Sequence, residues 1–551
     1  MASPGIRASS KASGAWDMAD LRTDVAVIGA GPTGAVVALR LASAGCAVTI
    51  LERGDWIDQD AVAHGSPDYA RRRREPLNAN PNLRQGPADD PVDDADSPIK
   101  PMIGNAVGGS AEWWSAHIPR FRPEDFRTQS LDGVGKDWPL SYADLAPCYA
   151  EVQRIWGTAS VPGDPSAVND RDGPLTAMPS IGAHGRRVAA ALDRLGWHWW
   201  PVDLVVGHGG DPPCTHPGPC DIGCPARIRS SGARLVEAAM AAGADLRTNL
   251  RVLRLEASGD RVTAALCRLG DADIRVEADI FVLAAGGMGT PRLLLLSASA
   301  QWPDGLANGS GLVGRNLMLH PYGRVYGQFD ALLGGWVPHE TAGIVCLEFL
   351  ATRPETGAKR GVKLQLISGP GPDALVRGAG LGAPVPWGAR HHAEMEARFD
   401  RICGFTVCAE DIADPENRIV LSDRLTDRDG LPAARMVYRV SDNSRRLLDH
   451  GLDRAGEALL AAGAKHLHRT PLRDQAGFHL MGTARMGRDP ARSVTDPLGR
   501  CHEVPNLIIA DSSTFVTASC LNPTATAQAL ALRAADGILG RMDECCIAAR
   551  H

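Results

Sequence analysis

The sequence predicts an α/β fold built around a nucleotide-binding unit, and two observations carry that expectation. Near the N-terminus a short apolar strand runs into a Gly-x-Gly-x-x-Gly turn, a helical stretch, a second strand and an acidic residue. The chain also has 551 residues, more than a single core of about 250 to 300 residues supports, so two joined domains are expected.

Each part of the N-terminal unit has a physical reason. Asp24-Val-Ala-Val-Ile28 is a buried-strand pattern, and the Ala/Val/Leu-rich stretch from Gly34 to Ala44 has helical character. Between them, Gly29 permits the turn, Gly31 lets the backbone approach a pyrophosphate, and Gly34 lets helix and strand pack closely. The phosphates then meet the positive helix N-terminus. A second strand, Ala47-Val-Thr-Ile-Leu51, ends at Glu52, and a carboxylate about 20 residues past such a turn is expected to bind ribose hydroxyls. This unit alone leaves open whether the dinucleotide is FAD or NAD.

Bulk properties narrow the function classes. A net charge of −6 offers no basic surface to displace the counterions of nucleic acid. The most apolar stretch, Phe281 to Ala300, is interrupted by Pro291 and Arg292, so no run of about 20 apolar residues is available to span a bilayer. The first twenty residues are small and polar, with neither the apolar core of a secretory signal nor a twin-arginine pair. A flexible tail over 1–20, with Met18 as an alternative start, and a cytoplasmic location are expected. The 13 Cys then read as mostly reduced thiols. No internal repeat is visible, and the one biased stretch, Pro87 to Pro98, carries Asp89, Asp90, Asp93, Asp94 and Asp96 after the basic run Arg71 to Arg74.

Four further segments resemble, in order, the glucose-methanol-choline (GMC) oxidoreductases. They are Gly104-Asn-Ala-Val-Gly-Gly-Ser110, Ala284 to Ser297 with its Ala-Ala-Gly-Gly-Met-Gly-Thr-Pro start, Gly311 to Pro321, and Phe478-His-Leu-Met-Gly-Thr-Ala-Arg-Met-Gly487 leading on to Asp511 and Asn522-Pro-Thr524. Asp414 to Leu421 is similar to a strand-forming stretch of that family's substrate domain. The resemblance spans about Thr23 to about Gly540 and implies a Rossmann-like FAD-binding domain assembled from discontinuous segments (21–130, 205–320 and 471–545). An α+β substrate domain with an antiparallel sheet would hold 131–204 and 321–470.

The resemblance also assigns chemistry. Oxidising an alcohol requires a base at the hydroxyl as the hydride leaves, and His479 stands where the family places that histidine, opposite flavin N5, in a loop that Gly482 and Gly487 would let turn. Asn522 matches the second catalytic residue and would orient the substrate oxygen. Its alternative reading is a helix N-cap followed by Pro523 at N1. Gly109 and Ser110 match the loop against the flavin, and Pro523 and Thr524 open a helix whose positive end favours negative charge on it. Asp511, ending the apolar strand 506–510, would contact the ribityl or pyrophosphate region or act as a turn acid. Where some relatives carry a flavin-linking histidine, the comparable place here is Trp113, with His117 further on. Non-covalent FAD is therefore expected, with Trp113 and Trp114 either near the isoalloxazine or in the core.

Cys214, Cys220 and Cys224 place three thiols within eleven residues. The triplet resembles that of sugar dehydrogenase catalytic subunits, where it holds an iron-sulfur cluster; zinc with His216, a disulfide and empty thiols stay open. The expected reaction is oxidation of a sugar-like or aminosugar alcohol, with O2 or a redox partner protein as acceptor. The five-Asp stretch would attract a cationic substrate of the kind found in aminoglycoside biosynthesis, or else be a solvated loop. A respiratory sugar or polyol dehydrogenase subunit and a GMC-type hydroxynitrile lyase are the alternatives.

Overall fold

The computed structural model describes residues 21–58, 77–168, 178, 180–206, 231–334, 343–380 and 382–548. The 1–20 tail, the run Arg71 to Arg74, and Cys214, Cys220 and Cys224 with His216 lie outside the described residues.

A seven-stranded sheet carries the nucleotide unit. Its order in space is Asp245–Arg247, Val48–Leu51, Leu21–Ile28, Ala272–Leu283, Arg261–Leu269 and Leu250–Ser258, with Leu507–Ile509 also pairing on Ala272–Leu283. The first four and Leu507–Ile509 are mutually parallel, so their carboxyl ends open on one edge, where such sheets bind ligands. Alternation sorts the central strand: Val25 and Val27 join a core with the helices Pro32–Ser43, Gly232–Ala241 and Thr524–Ala548, whereas Ala26 and Ile28 pack with Leu293 and Leu294 of the helix Gly286–Leu296. Helices on both faces are what a parallel sheet requires.

The second sheet has six strands, ordered His466–Thr470, Tyr322–Gln328, Ile402–Ala409, Val362–Ser368, Ile344–Cys346 and Trp199–Pro201, all antiparallel to their neighbours. Its period of two splits two functions. Val325, Leu364, Leu366, Phe405 and Val407 pack onto Leu447, Leu452 and Leu459 of the helix Asp442–Ala461. On the other face Tyr322, Arg324, Tyr326, Gln365 and Thr406 turn to a cleft between the two sheets.

Two expectations change. The helix Tyr142–Trp156, expected within a substrate-domain segment 131–204, instead joins the helical layer of the first sheet through Tyr149, Val152 and Trp156. Tyr149 Oη lies 2.6 Å from Thr526 Oγ1, and Trp156 Nε1 donates to Gln528 Oε1 at 2.7 Å. The Ala-rich face of Thr524–Ala548 leaves room for these large rings, and their polar tips find partners there. Of the expected strand 414–421, only the part from Arg418 is extended, and Arg418–Thr426 lies in a separate three-stranded sheet with Pro432–Val437 and Val92–Asp93. Among the described residues no helix is long and apolar enough to cross a membrane.

Candidate active site

The carboxyl edge of the parallel strands faces the antiparallel sheet across a cleft of about 1180 Å³, above the roughly 300 to 1,000 Å³ of ordinary ligand pockets and so roomy enough for a dinucleotide and a substrate together. Gly29, Gly31, Glu52, Gly109 and Ser110 border one end of the lining. His479, Asp511, Asn522, Pro523 and Thr524 border it as well.

The nucleotide end suits a dinucleotide. Gly29 adopts φ +109°, and a Cβ there would fall 2.6 Å from Ala284 O. Gly34 lies off the cleft, with its Cβ position 2.0 Å from Gly29 O, so it serves helix-to-turn packing as expected. A Cβ on Gly31 would meet nothing nearer than Gly109 Cα at 3.9 Å and would project into the cradle. The helix Pro32–Ser43 begins at Gly31 with no side-chain cap and no acid in its first turn, which leaves its first N–H groups for an anion. Glu52 Oε2 accepts from Ala30 N and Oε1 from Gly54 N, both at 2.8 Å; burial still raises its pKa, and each oxygen retains a lone pair for a ribose hydroxyl.

Asp511 is committed more fully. One oxygen accepts from Gly286 N and Thr290 Oγ1 at 2.9 and 2.6 Å, the other from Ser513 N and Oγ at 2.9 and 2.5 Å. It ties the end of one strand to the helix after its neighbour, the turn-acid role, while bordering the cleft. Ser110 Oγ accepts from Gly104 N at 3.0 Å. Trp113 donates its indole N–H to Leu77 O at 2.9 Å, Trp114 packs 5.4 Å from Trp156, and both border the cleft with His117.

At the other end, His479 is held from behind. Its Nδ1 lies 2.8 Å from His320 Nδ1 and 3.2 Å from Tyr322 Oη. His320 Nε2 lies 2.8 Å from Ser519 O, a contact only an N–H makes, which assigns the proton of neutral His320 to Nε2. Burial and the charge of Lys363 push His320 down to about 3, so its Nδ1 is an acceptor. His479 Nδ1–H must then donate to it, leaving His479 Nε2 as the unprotonated nitrogen. Burial, followed by the neighbouring His320, Lys363 and His117, holds His479 well below the usual histidine range, and it is a neutral base at pH 7. The loop turns at Gly482, φ +90°, as expected; Gly487 is not left-handed and instead makes room for Ser493, whose Cβ would lie 2.8 Å from a Cβ there.

Asn522 is not the N-cap. The helix is Thr524–Ala548, and Pro523 O accepts its first bond, from Ala527 N at 2.9 Å. The Asn522 side chain instead accepts at Oδ1 from Lys363 Nζ at 2.6 Å. An ammonium only donates, so this bond sets the amide's orientation and leaves Nδ2 as its donor. Lys363 is 1% exposed, and burial lowers its pKa. Sequence reasoning missed both supports: His320 stood in a quoted motif without a role, and Lys363 showed only as a lone charge in the apolar run Val362 to Ile367.

The acidic segment is also corrected. Asp89 pairs with Arg84, Asp90 with Arg53 and Arg292, Asp93 with Arg424, Asp94 with Lys100 and Asp96 with Arg435. Each carboxylate has a cationic partner, so the segment is not a free lure for cations; Asp89 and Asp93 are buried, while Asp96 stays exposed.

Comparison with known proteins agrees with this architecture. Two family models described as GMC oxidoreductase match residues 27–322 and 413–531. The chain is 36% identical over 546 residues to 2-methyl-1,2-propanediol dehydrogenase of Mycolicibacterium austroafricanum, covering 95% of this chain and 96% of that protein. It is 32% identical over 545 residues to 6'''-hydroxyparomomycin C oxidase of Streptomyces lividus, covering 95% and 92%. Pyridoxine 4-oxidase from Mesorbium loti superposes with a TM-score of 0.65 at 18% identity, covering 94% of this chain and 99% of that one.

Proposed function

Because the chain belongs to the GMC oxidoreductase family, whose members are FAD-binding flavoproteins, we propose that it oxidises an alcohol group of a sugar-like or aminosugar substrate to an aldehyde or ketone. The observation that carries this reading is the complementary pair on the cleft wall: a free lone pair on His479 and a free amide donor on Asn522. FAD would be held without a covalent link by Gly29, Gly31, Glu52, Gly109, Ser110, Pro523 and Thr524, with Asp511 bracing the strand end beside it, and would supply the hydride acceptor.

The protein's own groups manage the proton. His479 takes the hydroxyl proton at Nε2, a transfer worth roughly 10²- to 10⁴-fold in rate. Asn522 Nδ2 donates to the same oxygen and steadies the charge that develops on it. His320 keeps the other imidazole nitrogen occupied, so the lone pair stays on the cleft side of the ring. The oxidised state is restored by O2 or by a redox partner protein, which reoxidation in air tells apart. Similarity to an aminoglycoside oxidase supports the aminosugar form of the reading, with a place in antibiotic biosynthesis.

The test is anaerobic mixing of holoenzyme with neutral sugars, polyols and aminosugars while the flavin absorbance is followed, with His479→Ala as control. Bleaching that the control loses supports the reading. Bleaching by no alcohol sinks it in favour of a lyase, which leaves the flavin oxidised.

A further inference from the structure

The charged groups of the cleft lining nearly balance. Among the described residues its carboxylates are all committed: Asp373 pairs with Arg377 at 2.8 Å, Asp90 and Asp427 with Arg292 at 2.9 and 2.6 Å, and Asp429 with Arg251 at 2.6 Å. Glu52 and Asp511 accept from backbone and hydroxyl donors, and Arg53 is taken by Asp90. Among the described residues, two guanidinium groups of the lining, Arg324 and Arg473, form no ion pair with a carboxylate.

Both stand at the His479 end. Arg324 is two residues along its strand from Tyr322, on the same face, and Tyr322 Oη touches His479. Arg473 follows the neighbouring strand and donates its backbone N–H to Tyr322 O at 2.8 Å. Arg324 Nη1 donates to Tyr326 Oη at 3.0 Å, while its Nε is buried with no partner. Burial and the Arg324 charge beside it push Arg473 down to about 10. The adjacent Asp474 acts on Arg473 without forming an ion pair with it, and two like charges half-buried together with no paired carboxylate are costly unless an anion completes them.

We propose that Arg324 and Arg473 form an oxyanion-binding subsite in the substrate half of the cleft, so that the alcohol oxidised here carries a carboxylate or phosphate. This rests on the alcohol-oxidation reading above, keeps its sugar-like form and opposes its aminosugar form. The planar donor forks of two arginines match either oxyanion. An ammonium-bearing sugar is disfavoured by the same charges. The anion anchors the substrate at one end and leaves its hydroxyl for His479 and Asn522 at the other.

The experiment is calorimetric binding to the His479→Ala holoenzyme, which does not turn over, using D-gluconate and glycerol 3-phosphate against their neutral counterparts D-sorbitol and glycerol, with D-glucosamine added. At least one anion should bind about tenfold tighter than its neutral counterpart, the scale of a charge-assisted hydrogen bond. Arg473→Met should erase that ratio and Arg473→Lys restore part of it; Arg324→Met repeats the test if Arg473→Met is poorly folded. The preferred anion tells carboxylate from phosphate. Equal binding of anions and neutral alcohols, or tightest binding of glucosamine, overturns the proposal. Flavin bleaching of the wild type by the same compounds is scored separately: bleaching without an anion preference removes the subsite and keeps the oxidoreductase reading, and an arginine-dependent preference without bleaching does the reverse.

Discussion

Lys363 Nζ donates to Asn522 Oδ1 at 2.6 Å in the buried floor of the cleft. This single bond decides which end of the Asn522 amide is left to meet a substrate oxygen. It also sets a positive charge near His479, one of the influences that keep that imidazole neutral.

Replacing Lys363→Met should therefore act twice. Losing a buried charged hydrogen bond of about 1.5 to 3 kcal/mol frees the amide to flip, and kcat/KM should fall roughly 10- to 100-fold. His479 is active when neutral, so activity is lost on acidification through its pKa, which lies well below the ordinary value of 6.5. Removing a positive neighbour raises that pKa, and the acidic limb of the kcat/KM profile should move to higher pH. A variant with an unmoved limb and wild-type rate would show that Lys363 only fills space.

His320 should matter through the hydrogen it accepts. His320→Leu removes the acceptor for His479 Nδ1–H and lets the imidazole take the wrong tautomer, so kcat should drop about tenfold or more while flavin content is kept. In His320→Gln an amide oxygen accepts from His479 and the amide N–H reaches Ser519 O, so part of the rate should return. Equal loss in both variants would point to packing alone.

Gly31 separates folding from cofactor binding. Because a Cβ there meets only Gly109 Cα at 3.9 Å, Gly31→Val should fold with near wild-type far-UV circular dichroism yet purify with little FAD, read as the flavin-to-protein absorbance ratio. Full flavin occupancy in this variant would move the dinucleotide away from the glycine turn.

Arg360 tests stability apart from the site. It is 3% exposed and bonds Asp125, Glu410 and Asp132 at 2.6, 2.9 and 3.0 Å, so Arg360→Met strands buried carboxylates at a cost of about 3 to 5 kcal/mol. Burial pushes Glu410 up to about 7. A carboxyl that holds its proton more tightly when folded loses stability as pH rises from its ordinary value through that raised one. The drop in thermal midpoint for Arg360→Met should accordingly be larger at pH 8 than at pH 5, measured by calorimetry at both.

The glycine turn, Glu52 and the helix after it are legible in the chain because they form one contiguous strand-turn-helix-strand unit: Gly34 answers to Gly29 O five residues back, although what presses on Gly29 is Ala284 O, far along the chain. His479 and Asn522 are legible as motif positions, since the residue types that chemistry needs sit in short contiguous runs. Both sheets follow the expected α/β plan, although the first also carries two antiparallel strands, Arg261–Leu269 and Leu250–Ser258, and the antiparallel strand Ile402–Ala409 is buried along its whole length.

Long-range pairing is another matter. The five-Asp stretch reads as a free acidic face because its partners Arg292, Arg424 and Arg435 are more than a hundred residues away in sequence. The Tyr142–Trp156 helix shows an amphipathic stripe but not which core receives it. His320, Lys363, Arg324 and Arg473 become meaningful only when the antiparallel sheet closes over the strand ends, because a side chain's pKa, tautomer and charge balance depend on neighbours within a few ångströms. By itself the sequence determined the family fold and the strand-turn-helix unit, and it singled out His479 and Asn522 as the proposed base and amide. Folding alone decided how those two are held and which charges stay uncompensated beside them, since electrostatics and hydrogen bonding act through space and not along the chain.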